Sequence, residues 1–320
     1  MKTHRSTFLG SVLATTAAYA LAPYSPACAA DDVVRIGALA IDLSLEPFYA
    51  QQMGFFKKAG LAAEITPFSS GSAAAAALIG GTIDVAITDT ITIASAHARG
   101  VPISYIAPGG EQTSSEPTYT VIVAKNSPIE TAKDFSGKTV AVNGIKNILQ
   151  IPFEAWVDNN GGDSKSIKFI ELPFPSMAPA IEAGQIDAAS VVEPFFTIPM
   201  STGKVREIPQ TQKGLAPAFA LGGWSVTNDW AAKHGDVVKK FVAVMIETAR
   251  WANANHAESA QILASVSKMS PELANKVTRC RYSERLEAAR FQPVIDATAK
   301  YGVIGKSFPA REIFSGAALR

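Results

Sequence analysis

Asp89 and Thr90 follow a short apolar run at residues 83–87, and Ser69-Ser70-Gly71-Ser72 opens an alanine-rich segment that stops at Gly80-Gly81. Alanine is the strongest helix former and hydroxyl side chains cap helix starts, so residues 73–79 read as a helix. Glycine then tolerates the left-handed turn with which helices commonly end. Ile83-Asp84-Val85-Ala86-Ile87 reads as a buried strand with three polar residues, Thr88, Asp89 and Thr90, at its carboxyl end. In open α/β sheets, ligands lie beyond the carboxyl ends of strands and beside the amino ends of helices. Both ends of this unit therefore face one crevice. The chemistry on offer is ligand binding at that crevice; the plainer alternative is a βαβ corner with solvated turns.

Reactive chemistry has little support. Once Cys28 is set aside with the leader described next, Cys280 is the remaining cysteine, and KVTRCRYSERL around it holds no histidine. It reads as a buried structural thiol. His97, His234 and His256 lack the paired spacing of a metal site. No nucleophile elbow, phosphate-binding loop or dinucleotide fingerprint occurs, so no cofactor is expected. Formal charge is +1, from 29 basic and 28 acidic residues, without a Lys/Arg-rich run, which argues against a nucleic-acid partner.

Lys2, His4 and Arg5 precede an apolar stretch at 8–21, and Ala27-Cys28-Ala29-Ala30 follows. This is the layout of a secretory signal, with cleavage after Ala29 or Ala30. Ser25-Pro26-Ala27 is a poor approach to a lipidated Cys28. Without Lys2 and Arg5, 27 basic residues face 28 acidic ones. The expected product is a near-neutral periplasmic protein, large enough to need no disulfide.

The elements that must hold the crevice alternate. Residues 33–38 form a strand, 45–59 an amphipathic helix, 63–66 a strand; the opening unit follows, then a helix at 91–99 and a strand at 103–106. This is a parallel, doubly wound α/β pattern. A second series begins with strands at 119–124 and 139–142, a helix at 148–159 and a strand at 167–172. The stretch EITPFSSGSAAAAALIGGTIDVAITDT (64–90) is echoed by ELPFPSMAPAIEAGQIDAASVVE (171–193), with Ile83-Asp84 aligned to Ile186-Asp187 and Thr90 opposite Glu193. Two such units argue for two similar lobes. AFALGGWSVT (218–227) reads as one strand, and the remainder is mainly helical. Lobe one is expected at 31–121 plus 225–320 and lobe two at 122–224, with hinge crossings near 121–125 and 221–226.

Several motifs in order carry a family resemblance: GFFKKAGL (54–61), LIGGTIDVA (78–86), KDFSGKTVA (133–141), AGQIDAA (183–189) and YGVI (301–304). With these the chain resembles the nitrate/sulfonate/taurine family of periplasmic binding proteins, which also covers pyrimidine-precursor binders. The resemblance implies a two-lobed periplasmic-binding-protein (type II) clamshell, acting as a monomer, that delivers a small solute to an ABC permease and ATPase without converting it. It also implies where ligand contacts fall: Asp42 and Ser44 after the first strand, Gly71 and Ser72 at the helix start, and Asp89 and Thr90 at the strand end. The hinge and second lobe add Glu111, Asn143, Phe174 and Glu193, with Trp224 closing the cleft. Asp42 and Glu111 read equally well as solvated loop carboxylates, Phe174 and Trp224 as core, and Asn143-Gly144 as a turn.

Four carboxylates beside one cation, Lys146, would be expensive to enclose without a donor. The expected solute therefore carries an amine or N–H groups, as an amino-sulfonate or a pyrimidine-like heterocycle does. A subunit of a membrane sensor and an enzyme on the same fold are the alternatives.

Overall fold

A computed structural model describes residues 32–316 of the chain. The leader read at 1–30, with Cys28, lies outside them. In chain order the strands are β1 (Asp32–Ala38), β2 (Leu61–Pro67), β3 (Val85–Asp89), β4 (Ile103–Pro108), β5 (Gly110–Thr113), β6 (Tyr119–Ala124) and β7 (Thr139–Val142). They continue as β8 (Lys168–Glu171), β9 (Ala188–Val192), β10 (Val205–Ile208), β11 (Ala218–Ala220), β12 (Gly222–Thr227) and β13 (Arg281–Tyr282). One sheet has the order β2-β1-β3-β12-β4 and another β10-β6-β9-β7-β8. Within them, β2-β1-β3 and β8-β7-β9 are equivalent parallel triplets.

The repeated Ile-Asp has a structural cause. Asp84 accepts the Arg35 backbone N–H at 2.9 Å and pairs with its guanidinium at 2.6 Å, while the Asp84 amide donates to the Arg35 carbonyl at 2.8 Å. Asp187 accepts the Thr139 N–H at 2.8 Å, and its own amide donates to the Thr139 carbonyl at 3.0 Å. Each aspartate thus ties the start of the central strand of its sheet, β3 or β9, to the neighbouring strand, β1 or β7, satisfying a backbone donor the ladder leaves open.

The helix Gly71–Ile79 joins β2 to β3, capped by Ser70, whose hydroxyl accepts from the Ala73 amide at 3.2 Å. Asp89 caps the next helix, Thr90–Ala98. The amphipathic pattern at 45–59 is two helices, Glu46–Gln52 and Phe55–Lys58, because Gly54 takes a left-handed φ of 73° between them.

AFALGGWSVT does not run as one strand either. It bends at Leu221 from β11 into β12, where a Cβ on Gly222 would strike the Thr88 carbonyl and one on Gly223 would lie 2.7 Å from that of Ala107. Only glycine lets β12 enter between β3 and β4. The connections between the two main sheets are β5 and β11, antiparallel neighbours in a small third sheet with β13. They fall before the expected crossings: residues 121–124 lie in β6 of the second sheet and 222–226 in β12 of the first. An apolar cluster runs from Val34 and Ile36 through Leu39 and Ile41 to Ile148, Phe174 and Val192, so one continuous core links the two sheets.

Candidate functional site

The carboxyl ends of β3 and β9, from the two echoed units, meet at a chamber of about 40 Å³. The first sheet and its loops contribute Leu39, Ile41, Leu43, Gly71, Ile87, Thr88 and Asp89; Leu221 and Gly222 come from the bend between β11 and β12. The second sheet contributes Asn143, Asn147, Ile148, Leu149, Phe174 and Val192. Four of the expected contacts, Gly71, Asp89, Asn143 and Phe174, are brought together here. The aliphatic majority carries no side-chain chemistry that a sequence scan would flag, which is why those positions went unnamed.

The polar groups at the chamber are already engaged. One Asp89 oxygen accepts the amides of Ile91 and Thr92 at 3.1 and 3.0 Å, and the other accepts the Thr92 hydroxyl at 2.5 Å. Burial pushes the Asp89 carboxyl up, against the pull of those cap bonds. A Cβ on Gly71 would sit 3.1 Å from the Asp89 amide and carboxylate, so glycine permits this approach of helix to strand end. Thr88 donates its hydroxyl to Ser225 at 3.1 Å. Asn147 donates to the Asn143 carbonyl oxygen at 2.8 Å and accepts from the Leu149 amide at 3.0 Å. Asn143 reaches across to donate to the Ser69 carbonyl at 3.4 Å.

The other expected contacts lie elsewhere. Asp42 is buried against Arg279, whose Nε donates to it at 2.7 Å, and it also accepts the Cys280 amide. Arg279 in turn donates to Ser259 at 2.8 Å and to the Tyr49 hydroxyl. Burial raises the Asp42 carboxyl against the pull of Arg279. Ser44 closes the loop after β1, exchanging hydrogen bonds with the Leu39 amide and carbonyl at 2.8 and 2.7 Å. Thr90 donates to the Ala220 carbonyl at 2.9 Å, holding the helix start to β11. Ser72 is exposed beside the chamber, 3.0 Å from the Ser70 hydroxyl. Glu111 faces away, accepting from the Ser283 hydroxyl at 2.6 Å and lying 4.0 Å from Arg290. Trp224 is core: fully buried, its ring edge-on to Phe241 at 6.1 Å and its indole N–H donating to Glu46 at 2.7 Å.

Glu193 stands just beyond Val192, at the contact between the two sheets rather than in the chamber wall. Its carboxylate accepts from the Thr197 hydroxyl at 2.6 Å and, from the other side, from the Thr278 amide at 3.1 Å. Its carbonyl accepts the Asp42 amide at 3.1 Å. Burial lifts its pKa to about 7. With the Asn143–Ser69 bond, these contacts hold the two sheets together around the chamber.

The expected shell of four carboxylates is therefore not assembled. Asp42 is neutralised by Arg279, Glu193 bridges the sheets, Glu111 faces another surface and Asp89 caps a helix. Among the described residues, no cluster of acids is present at the chamber to call for a nitrogenous solute. Lys146 does not line the chamber, and neither do the other cations among the described residues. Two buried ionisable groups escaped sequence reasoning. Arg279 has no local signal, being 237 residues from Asp42. Glu46, fully buried with one oxygen unpartnered, has its pKa pushed by burial to about 8. Cys280 is buried and its thiol is pushed well up by burial, as suits a structural cysteine.

Solved structures of known proteins share this fold. The periplasmic aliphatic sulphonate binding protein SsuA from Escherichia coli superimposes with a TM-score of 0.69, at 20% identity over 89% of this chain and 92% of that one. The periplasmic nitrate-binding protein NrtA from Synechocystis PCC 6803 gives a TM-score of 0.75, at 16% identity over 88% and 84%. At these identities the likeness is one of fold, the two-lobed periplasmic-binding-protein fold with doubly wound sheets. In sequence, the taurine-binding periplasmic protein of Escherichia coli (strain K12) is 28% identical over 214 residues, which is 65% of this chain. The match spans 64% of that relative's length, less than two thirds. Residues 45–259 match the family described as NMT1/THI5 like, two thirds of the chain, and the chain belongs to that family.

Proposed function

We propose that this chain is the extracytoplasmic solute-binding component of an ABC importer. It captures a small solute in the chamber between the two sheets and hands it, unconverted, to a permease driven by an ATPase. The observation that carries the reading is that one chamber takes walls from both sheets, which are connected by two short strands and latched by Glu193 and Asn143. Such an arrangement lets binding and closure be one event, because a ligand shifts an open–closed equilibrium only by its differential affinity for the two states. In this reading the β1–β4 and β12 region and the β6–β10 region are the moving lobes of a monomer, with β5 and β11 as the hinge. The names of the relatives, taurine-, sulphonate- and nitrate-binding, and their periplasmic location support a solute of that size and a place outside the cytoplasmic membrane. A membrane-crossing helix is not found among the described residues. Conversion of the solute is not part of the reading, since the side chains at the chamber are aliphatic groups, a phenyl ring, amides, a hydroxyl bonded to Ser225 and a carboxylate engaged in capping.

The test is binding and compaction together. Purified protein should show a raised melting temperature with one member of a panel of sulfonates, carboxylates, nitrate and pyrimidine-like compounds. The same compound should shrink the radius of gyration in small-angle scattering. Stabilisation without compaction would refute coupled closure, and product formation from the bound compound would refute the transport reading.

A further inference from the structure

The chamber at Asp89, the inner space, adjoins a second and larger one, the outer space. Past Leu39, Ile41 and Phe174, which wall both, lies an outer space of about 240 Å³. Its other walls are Ala40, Phe68 and Ser69 from the first sheet's loops and Pro173, Pro175 and Phe195 from the second. Phe174 and Phe195 are stacked there, ring centroids 5.3 Å apart and planes 12° from parallel. Phe68 and Phe195 are only partly buried, so their rings are available to a guest. Neither space has an arginine or lysine on its wall.

This inference rests on the solute-binding reading above and names the class of solute. We propose that the solute has a flat aromatic body that lies in the outer space against Phe68, Phe174 and Phe195, with one small polar group entering the inner chamber beside Gly71 and Asn143. Three features favour this class. An apolar cavity of about 150 Å³ suffices to hold benzene, so the outer space takes a substituted ring. The inner chamber has room for about three water-sized groups, which fits a head of a few atoms but not a second ring. Without a cationic wall residue, a bare small anion gains no ion pair, and affinity must come from apolar contact and ring stacking. A flat ring against these phenylalanines gains both, whereas a short alkyl chain leaves the outer space unfilled.

Matched ligand pairs test the idea by calorimetry on the full mature protein: benzenesulfonate against ethanesulfonate, and benzoate against acetate. The aromatic member of a binding pair should bind at least tenfold more tightly. The Phe195→Leu variant, which keeps an apolar side chain of similar bulk, should reduce the aromatic advantage severalfold and leave the short member's affinity within twofold. Its unfolding transition is measured alongside to establish that it folds. Equal or tighter binding of the short members would overturn the aromatic assignment while leaving solute binding intact. An undiminished aromatic preference in folded Phe195→Leu would also overturn it. No binding by these pairs, with tight binding of another small solute, would likewise reject the aromatic class alone. No binding by any small solute would reject the solute-binding reading and this inference with it.

Discussion

Replacing Glu46 with glutamine measures what an uncompensated buried carboxyl does to this fold. Glu46 opens the helix Glu46–Gln52 and has no exposed surface; one oxygen accepts the Trp224 indole N–H at 2.7 Å and the other has no partner. Burial moves its pKa from the usual 4.5 to about 8. The native protein therefore keeps a proton that the unfolded chain releases between those values. The protonated side chain's contribution is complete below pH 4.5, declines as pH rises and is lost once pH passes 8. The whole displacement is worth about 5 kcal/mol, a large share of a typical domain's 5–15 kcal/mol. Glutamine can still accept the indole N–H and never ionises. The stabilisation of Glu46→Gln over wild type should thus grow by about 4 kcal/mol between pH 5 and pH 8.5. Urea unfolding of both proteins at pH 5, 7 and 8.5 reads this difference directly, and titration of other groups cancels between them. A difference that is constant with pH would refute the reasoning, because it would mean that Glu46 ionises alike in the folded and unfolded chains.

Arg279→Met should destabilise the protein by about 3–5 kcal/mol, since Asp42 would be left buried beside a group that cannot neutralise it. Adding Asp42→Asn should restore part of the loss in the same denaturation assay; if the double variant is no more stable than the single one, the pair is not coupled. Closure should depend on Glu193. With the two sheets in contact as described, its pKa is about 7 against the usual 4.5, so that contact is favoured below pH 4.5 and weakened as pH rises through 7. Small-angle scattering should report a more compact protein at pH 5.5 than at pH 8.5, and Glu193→Gln should remove the difference. Gly71→Ala should weaken solute binding by about tenfold, because its methyl would crowd the Asp89 carboxylate at 3.1 Å and push the helix start from the chamber. Calorimetry with the solute found by panel screening checks this, and unchanged affinity would mean that the helix start does not touch the solute.

Local pattern was enough for the alternation of strands and helices, the two echoed units and the meeting of strand ends at one crevice. Those features follow from apolar periodicity, helix propensity and turn residues, which act over a few positions along the chain. The sequence by itself also singled out Ile83-Asp84 and Ile186-Asp187 as equivalent, although only the pairing with Arg35 and Thr139 explains why an aspartate stands there. The breaks in the 45–59 helix and the 218–227 strand depended on how single glycines sit against neighbouring segments. What Asp42, Glu46 and Glu193 do was decided by tertiary structure alone, whereas Asp89 caps the helix that follows it. Asp42 meets Arg279 across 237 positions, Glu193 meets Thr278 across 85, and Trp224 meets Glu46 across 178. Hydrophobic periodicity is a property of neighbours, whereas the partner of a buried charge is chosen by the packing of distant segments. The sequence could therefore mark where a pocket forms, and only the folded chain determined that its walls are mainly apolar, with Asp89 the one acid among their described residues and committed to a helix cap.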